Sequence, residues 1–73
     1  MVIAGSIERY VTEHPRAADT ATGIRGWWIE RQGNSGSPAE VQESLDYLVA
    51  LGRLSRIVLA DGTVIYGRAS PEN

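Results

Sequence analysis

Glu40 and Glu43 stand three residues apart in SPAEVQESLDYLVALG (37–52), a spacing that brings two carboxylates onto one helical face. Such a pair does acid–base work only inside a pocket that drives the two pKa values apart. The pattern around them places both on a solvent face, and Glu40 has a capping role besides. His14, the one histidine, precedes Pro15 in a turn and has no companion nucleophile or acid nearby in sequence. Gly33-Asn34-Ser35-Gly36 has the glycines of a phosphate-binding loop but neither its lysine nor its preceding strand. Cysteine is absent, which excludes disulfides and thiolate metal sites. There is no spacing of metal ligands and no nucleotide fingerprint. The expectation is a protein that is not an enzyme and has no cofactor.

The arginines offer a different chemistry. All seven cations are arginine, and guanidinium groups bind phosphate or carboxylate through paired hydrogen bonds. Arg53, Arg56 and Arg68 fall at the two ends of the last unit of the chain, and Arg25 and Arg31 near its second helix. If the first three converge they form a binding site for a nucleic-acid backbone or an acidic partner. The plain alternative is solvated surface paired with Asp and Glu.

These side chains are positioned by a regular succession of elements. Ile3, Ile7, Tyr10 and Val11 make one face of a helix over about Val2–Glu13, stopped by Pro15. Arg16-Ala17-Ala18 is a short extended link. Asp19 or Thr20 then caps a second helix, about Thr20–Ile29, with Ala21, Ile24 and Trp28 inward and Trp27 at the edge. Gly23 and Gly26 each weaken that helix by about 1 kcal/mol relative to Ala; close approach of a neighbour is the expected compensation. Glu30–Gly36 is a polar loop.

The third helix, Pro38–Leu51, has both ends written into the chain. Ser37 and Glu40 make a capping box, Pro38 takes the first helical position and Gly52 closes the last turn. Val41, Leu45, Leu48 and Val49 form its apolar stripe. Ala39, Glu43, Asp46 and Ala50 lie opposite, flanked by Glu40 and Tyr47. Leu54–Ala60 and Thr63–Arg68 are β-rich runs around Asp61-Gly62, the signature of a hairpin with a two-residue turn. That turn pairs Leu59 with Val64 and Ile57 with Tyr66 on one face, and Val58 with Ile65 on the other, away from the core. Strict alternation then puts Leu54 on the Val58 side.

Seventy-three residues make one domain, over residues 1–69, with Ser70–Asn73 as a frayed tail. Met1–Gly5 is too short for the apolar part of a signal peptide, and no run approaches a membrane span. A cytoplasmic, soluble protein without a membrane partner is the default expectation. The formal net charge is −2, which argues against a domain that lives on phosphate contacts.

The order helix, link, helix, loop, helix, hairpin resembles a winged helix-turn-helix domain, an α+β fold. The resemblance runs from Ile3 to Ala69 and is carried by IERYVTEHP, ADTATGIRGWW, SPAEVQESLDYLVALGRL and the wing SRIVLADGTVIYGRA. LVALGRL followed by a DG hairpin ending in Tyr is similar to small bacterial winged-helix transcription regulators. That resemblance implies that the third helix enters the major groove of DNA and the wing touches the backbone. Its contact residues would be Ser37, Ala39, Gln42, Glu43 and Asp46, with Asp61-Gly62-Thr63 at the wing tip. Of these, only Ser37 and Gln42 suit base or phosphate contact. Each carboxylate held ~4 Å from a phosphate is opposed by about 1 kcal/mol in water, and by roughly 4 at an effective dielectric of 20.

Two expectations follow. The first is a regulator-like module that binds duplex DNA weakly through Ser37, Ala39, Gln42, Arg53, Arg56 and Arg68. The second is a protein–protein adaptor that meets a basic partner through Trp27, Glu40, Glu43, Asp46, Tyr47, Val58 and Ile65. The second requires some of Trp27, Tyr47, Val58 and Ile65 to stay exposed. A second copy of the chain is a further candidate partner, through the apolar outer face or open edge of the hairpin.

Overall fold

The computed structural model describes residues 2–69; the tail expected at Ser70–Asn73 lies outside the described residues. Helix α1 is Val2–Glu13, with Ala4, Ile7 and Val11 buried along one side. His14 donates its backbone N–H to the Tyr10 carbonyl before Pro15 ends the helix. A two-residue strand, β1 (Ala18–Asp19), then forms where a bare link was expected.

The second helix differs most from expectation. Only Ala21–Gly23, α2, is α-wound; Ile24–Trp28 continues as a π-turn segment and Glu30–Gln32 as a 3₁₀ turn. The Ile29 N–H reaches back five residues to the Ile24 carbonyl, at 3.2 Å. This wider turn lets both Trp28 and Ile29 flank Ile24 in the core, which a regular helix would not allow. Thr20, not Asp19, is the cap: its hydroxyl accepts from Gly23 N–H at 3.1 Å. The glycines divide. A Cβ on Gly23 would meet the Asp19 carboxylate at 2.2 Å, whereas one on Gly26 would meet nothing within 4 Å. Close approach explains the first glycine; Gly26 faces open space.

Helix α3, Pro38–Ala50, begins as the sequence predicts. Glu40 N–H donates to Ser37 Oγ at 3.1 Å and Ser37 N–H to Glu40 Oε1 at 2.8 Å. Its end is a Schellman closure: Gly52 N–H bonds the Val49 carbonyl and Arg53 N–H the Leu48 carbonyl, with Gly52 at φ +76°. Ser44 is also wholly buried, a position the apolar stripe did not include; its hydroxyl donates to the Glu40 carbonyl, so no polar atom is stranded.

Strands β2 (Leu54–Val58) and β3 (Val64–Arg68) form the hairpin, and β1 pairs with the far side of β3, giving the antiparallel order β1-β3-β2. The register differs from expectation by one residue. Val58 lies opposite Val64, Ile57 opposite Ile65 and Arg56 opposite Tyr66. The turn has three residues, Ala60-Asp61-Gly62. Leu59 N–H bonds the Thr63 carbonyl, Gly62 N–H bonds the Leu59 carbonyl, and Gly62 sits at φ +90°. This is a tight turn closed by a left-handed glycine bulge.

A one-residue shift reverses the faces of β2 relative to β3. Val58 and Ile65, expected together on the outer face, are therefore on opposite faces. Val58 shares the side of buried Leu54 and Tyr66, although it is 64% exposed beyond the edge of the core; Ile65 shares the outer side with Ile57. The same shift places Leu54 on the core side without any bulge in β2.

Three helices thus pack on one face of a small antiparallel sheet, an α+β arrangement of winged-helix type. The core is built from α1 (Ala4, Ile7, Val11), the second helix (Ile24, Trp28, Ile29), α3 (Val41, Leu45, Leu48) and the sheet (Leu54, Tyr66). Gln32 ties the 3₁₀ turn to α1 by donating to the Ser6 carbonyl at 2.8 Å. No helix among the described residues is long and apolar enough to cross a membrane.

Candidate interaction surface

The exposed side of α3 splits into two. Toward the wing, Gln42 and Asp46 lie one turn apart and meet the hairpin. Gln42 Nε2 donates to Asp46 Oδ1 at 3.0 Å and to the Tyr66 hydroxyl at 3.0 Å. Arg56, opposite Tyr66 on β2, donates to the same Asp46 oxygen at 2.6 Å and lies 5.7 Å from the Tyr66 ring centre. The four residues form a closed network across helix and wing. Both hydrogens of the Gln42 amide are used within it, so the amide has no donor left to pair with an adenine edge.

Arg53, just before β2, is paired to Glu8 on α1 and lies beside Tyr47. Both guanidinium pKa values are raised. For Arg53 the main cause is its hydrogen bond to Glu8; for Arg56 it is the Tyr66 hydroxyl, with Asp46 adding to it. Arg68 lies at the far end of β3, exposed and opposite Leu54, and has no ion pair among the described residues. Of the three wing arginines, Arg53 and Arg56 are held in exposed intramolecular ion pairs, and Arg68 has none among the described residues.

Away from the wing, Glu40 and Glu43 line a shallow groove with Val2, Ile3 and Ser44, between α3 and the start of α1. Val2 is exposed, and so is Tyr47 one helical turn beyond Glu43, with Leu51 one turn further. The groove presents carboxylates beside apolar surface, with no Arg or Lys among the described residues that line it, and Arg53 lies at its far end beside Tyr47. Ser37 and Ala39 are exposed at the helix start, but the Ser37 hydroxyl is committed to the cap. Trp27 is 55% exposed on the π segment, with the Arg31 guanidinium over its ring at 5.0 Å. Trp28 is buried, stacked on Tyr10 at 4.6 Å, and Tyr10 also meets the His14 ring.

Of the residues expected in a protein interface, Glu40, Glu43 and Tyr47 share one side of α3. Asp46 turns toward the wing, and Trp27, Val58 and Ile65 occupy other surfaces. Glu8 and Tyr66, which hold Arg53 and Arg56, were not among the expected contact residues. Tyr66 had a usable signal: a tyrosine at a core strand position needs a partner for its hydroxyl. Glu8 had none, because only the tertiary fold brings it to Arg53.

A second groove, lined by Ala21, Thr22, Arg25, Pro38, Val41 and Gln42, runs between the second and third helices. Arg25 carries no ion pair among the described residues. No family model, curated protein or solved structure matches the chain at a significant level.

Proposed function

We propose that this chain is a non-enzymatic winged-helix binding module whose partner is a protein bearing a basic surface. The observation that carries this reading is the fate of the charges. Arg53 and Arg56 are neutralised by Glu8 and Asp46, while the open side of α3 offers Glu40 and Glu43 beside Val2, Tyr47 and Leu51. Acidic groups flanked by exposed aromatic and aliphatic side chains suit arginine-rich protein surface and repel a phosphate backbone.

The test has two arms. In the first, fluorescence anisotropy with short duplex DNA at low salt is expected to show no binding at micromolar protein. Tight binding that weakens steeply with salt would overturn the proposal. In the second, affinity capture from a lysate is compared for the wild-type chain, Glu43→Arg and Arg68→Ala. A partner that is lost with Glu43→Arg and retained with Arg68→Ala supports the acidic side of α3 as the contact.

Duplex DNA remains the second reading, favoured by one observation. Arg25 is unpaired among the described residues and shares its groove with Thr22 and Gln42, at the junction of the second and third helices. Under that reading Arg25→Ala abolishes whatever DNA affinity the anisotropy measurement finds.

A further inference from the structure

Strand β2 is an outer strand of the sheet, and the only charge on its free edge, Arg56, is paired to Asp46. It contains no proline or lysine, and Ile57, Val58 and the following Leu59 are all exposed. The Leu59–Thr63 hydrogen bond fixes which backbone groups are free. By the alternation of an antiparallel ladder, Ser55, Ile57 and Leu59 point their N–H and C=O groups at β3, and Leu54, Arg56 and Val58 point theirs outward.

We propose that this edge pairs antiparallel with the same edge of a second copy, around a two-fold axis at Ile57. In that register Arg56 and Val58 exchange reciprocal hydrogen bonds with Val58 and Arg56 of the second copy, so the free groups match on both sides. Charge favours the same register. In it Arg56 meets Val58 of the second copy and not another arginine. The register centred on Arg56 also aligns the free backbone groups, but it stacks the two guanidiniums. The product is one continuous sheet in the order β1-β3-β2-β2-β3-β1. Pairing of two five-residue strands buries less than the ~1,200 Å² of a stable interface, so the dimer is weak and forms at high micromolar concentration.

The inference does not rest on the acidic side of α3. Its test is sedimentation equilibrium from ~10 μM to ~1 mM on the wild type, Val58→Glu and Val58→Lys, with folding checked by circular dichroism. Val58 is 64% exposed, so neither substitution disturbs the core. Each dimer places residue 58 opposite Arg56 twice. Val58→Glu is expected to tighten the dimer and Val58→Lys to loosen it, by roughly 2- to 30-fold each. Exchange of the Arg56 and Val58 amides is expected to slow as concentration rises. Monomer throughout the range, even for Val58→Glu, overturns the proposal. So does equal weakening by both substitutions, which marks contact through an apolar face instead of the strand edge.

Discussion

Gly26 shows how much a single side chain position is worth in this domain. It lies within the second helix, its backbone is not left-handed, and a Cβ there meets open space. Gly26→Ala therefore restricts the unfolded chain without a clash in the fold, and should stabilise by up to about 1 kcal/mol. In a domain of this size that raises Tm by roughly 4–8 °C per kcal/mol, measurable by calorimetry. Gly23→Ala should not give the same gain, although helix propensity alone treats the two positions alike. Its Cβ lands on the Asp19 carboxylate, which must swing away and abandon the Thr20 N–H it accepts at 2.8 Å. A gain from Gly23→Ala equal to that from Gly26→Ala would mean that the Asp19 contact contributes nothing.

At the scale of elements, the hairpin turn sets the register, and two observations make it testable. Ala60 is the extra residue of the three-residue turn. Deleting it leaves Asp61-Gly62 as a two-residue turn between the same Leu59 and Thr63, which are already a hydrogen-bonded pair. The deletion should therefore preserve the pairing of Val58 with Val64 and Arg56 with Tyr66, visible as cross-strand NOEs; a slipped register would show Ile57 against Tyr66. Asp61 also gives the turn a pH dependence. Its carboxylate accepts the Thr63 backbone N–H at 2.9 Å, and that bond lowers its pKa in the folded state. A folded pKa below the unfolded value of about 3.9 means the contribution is complete above that pH and is lost as pH falls through the folded pKa. The Thr63 amide shift should follow this titration, and Asp61→Asn, which keeps the acceptor oxygen, should remove it.

The same turn shows why part of the fold was legible in sequence and part was not. The ends of α3 were readable because Ser37, Pro38, Glu40 and Gly52 act within a few residues of themselves. Asp-Gly, by contrast, satisfies either a two-residue turn or a three-residue turn with a glycine bulge, and the two differ by one residue of register. The π turn at Ile24–Trp28 was hidden for a related reason. Ile24 and Trp28 fit an α-helical spacing, and only the burial of Ile29 beside them reveals the wider winding. The carboxylates of α3 were legible as an acidic face, but their division between wing and groove depends on Tyr66 and Arg56 arriving from the hairpin.

Across the whole molecule, Glu8–Arg53 and Asp46–Arg56 join α1 and α3 to the wing and, in doing so, pair two exposed cations with carboxylates. Their largest consequence is for binding, since exposed ion pairs add little to stability. The double substitution Glu8→Gln, Asp46→Asn removes two negative charges and takes the formal net charge from −2 to 0. It leaves Arg53 and Arg56 unpaired on the side where a winged helix would meet a phosphate backbone. The variant should bind duplex DNA at low salt more tightly than the wild type does. Two added phosphate contacts should appear as a slope of about −1.8 in log K against log salt. Anisotropy at several salt concentrations measures both quantities. If the wild type already shows a slope of that size, the arginines are free in solution and the ion pairs do not control the surface. If the variant gains no affinity, the remaining carboxylates, Glu40 and Glu43, are sufficient by themselves to exclude DNA. Restoring affinity by adding Glu43→Gln would then locate the barrier on the open side of α3.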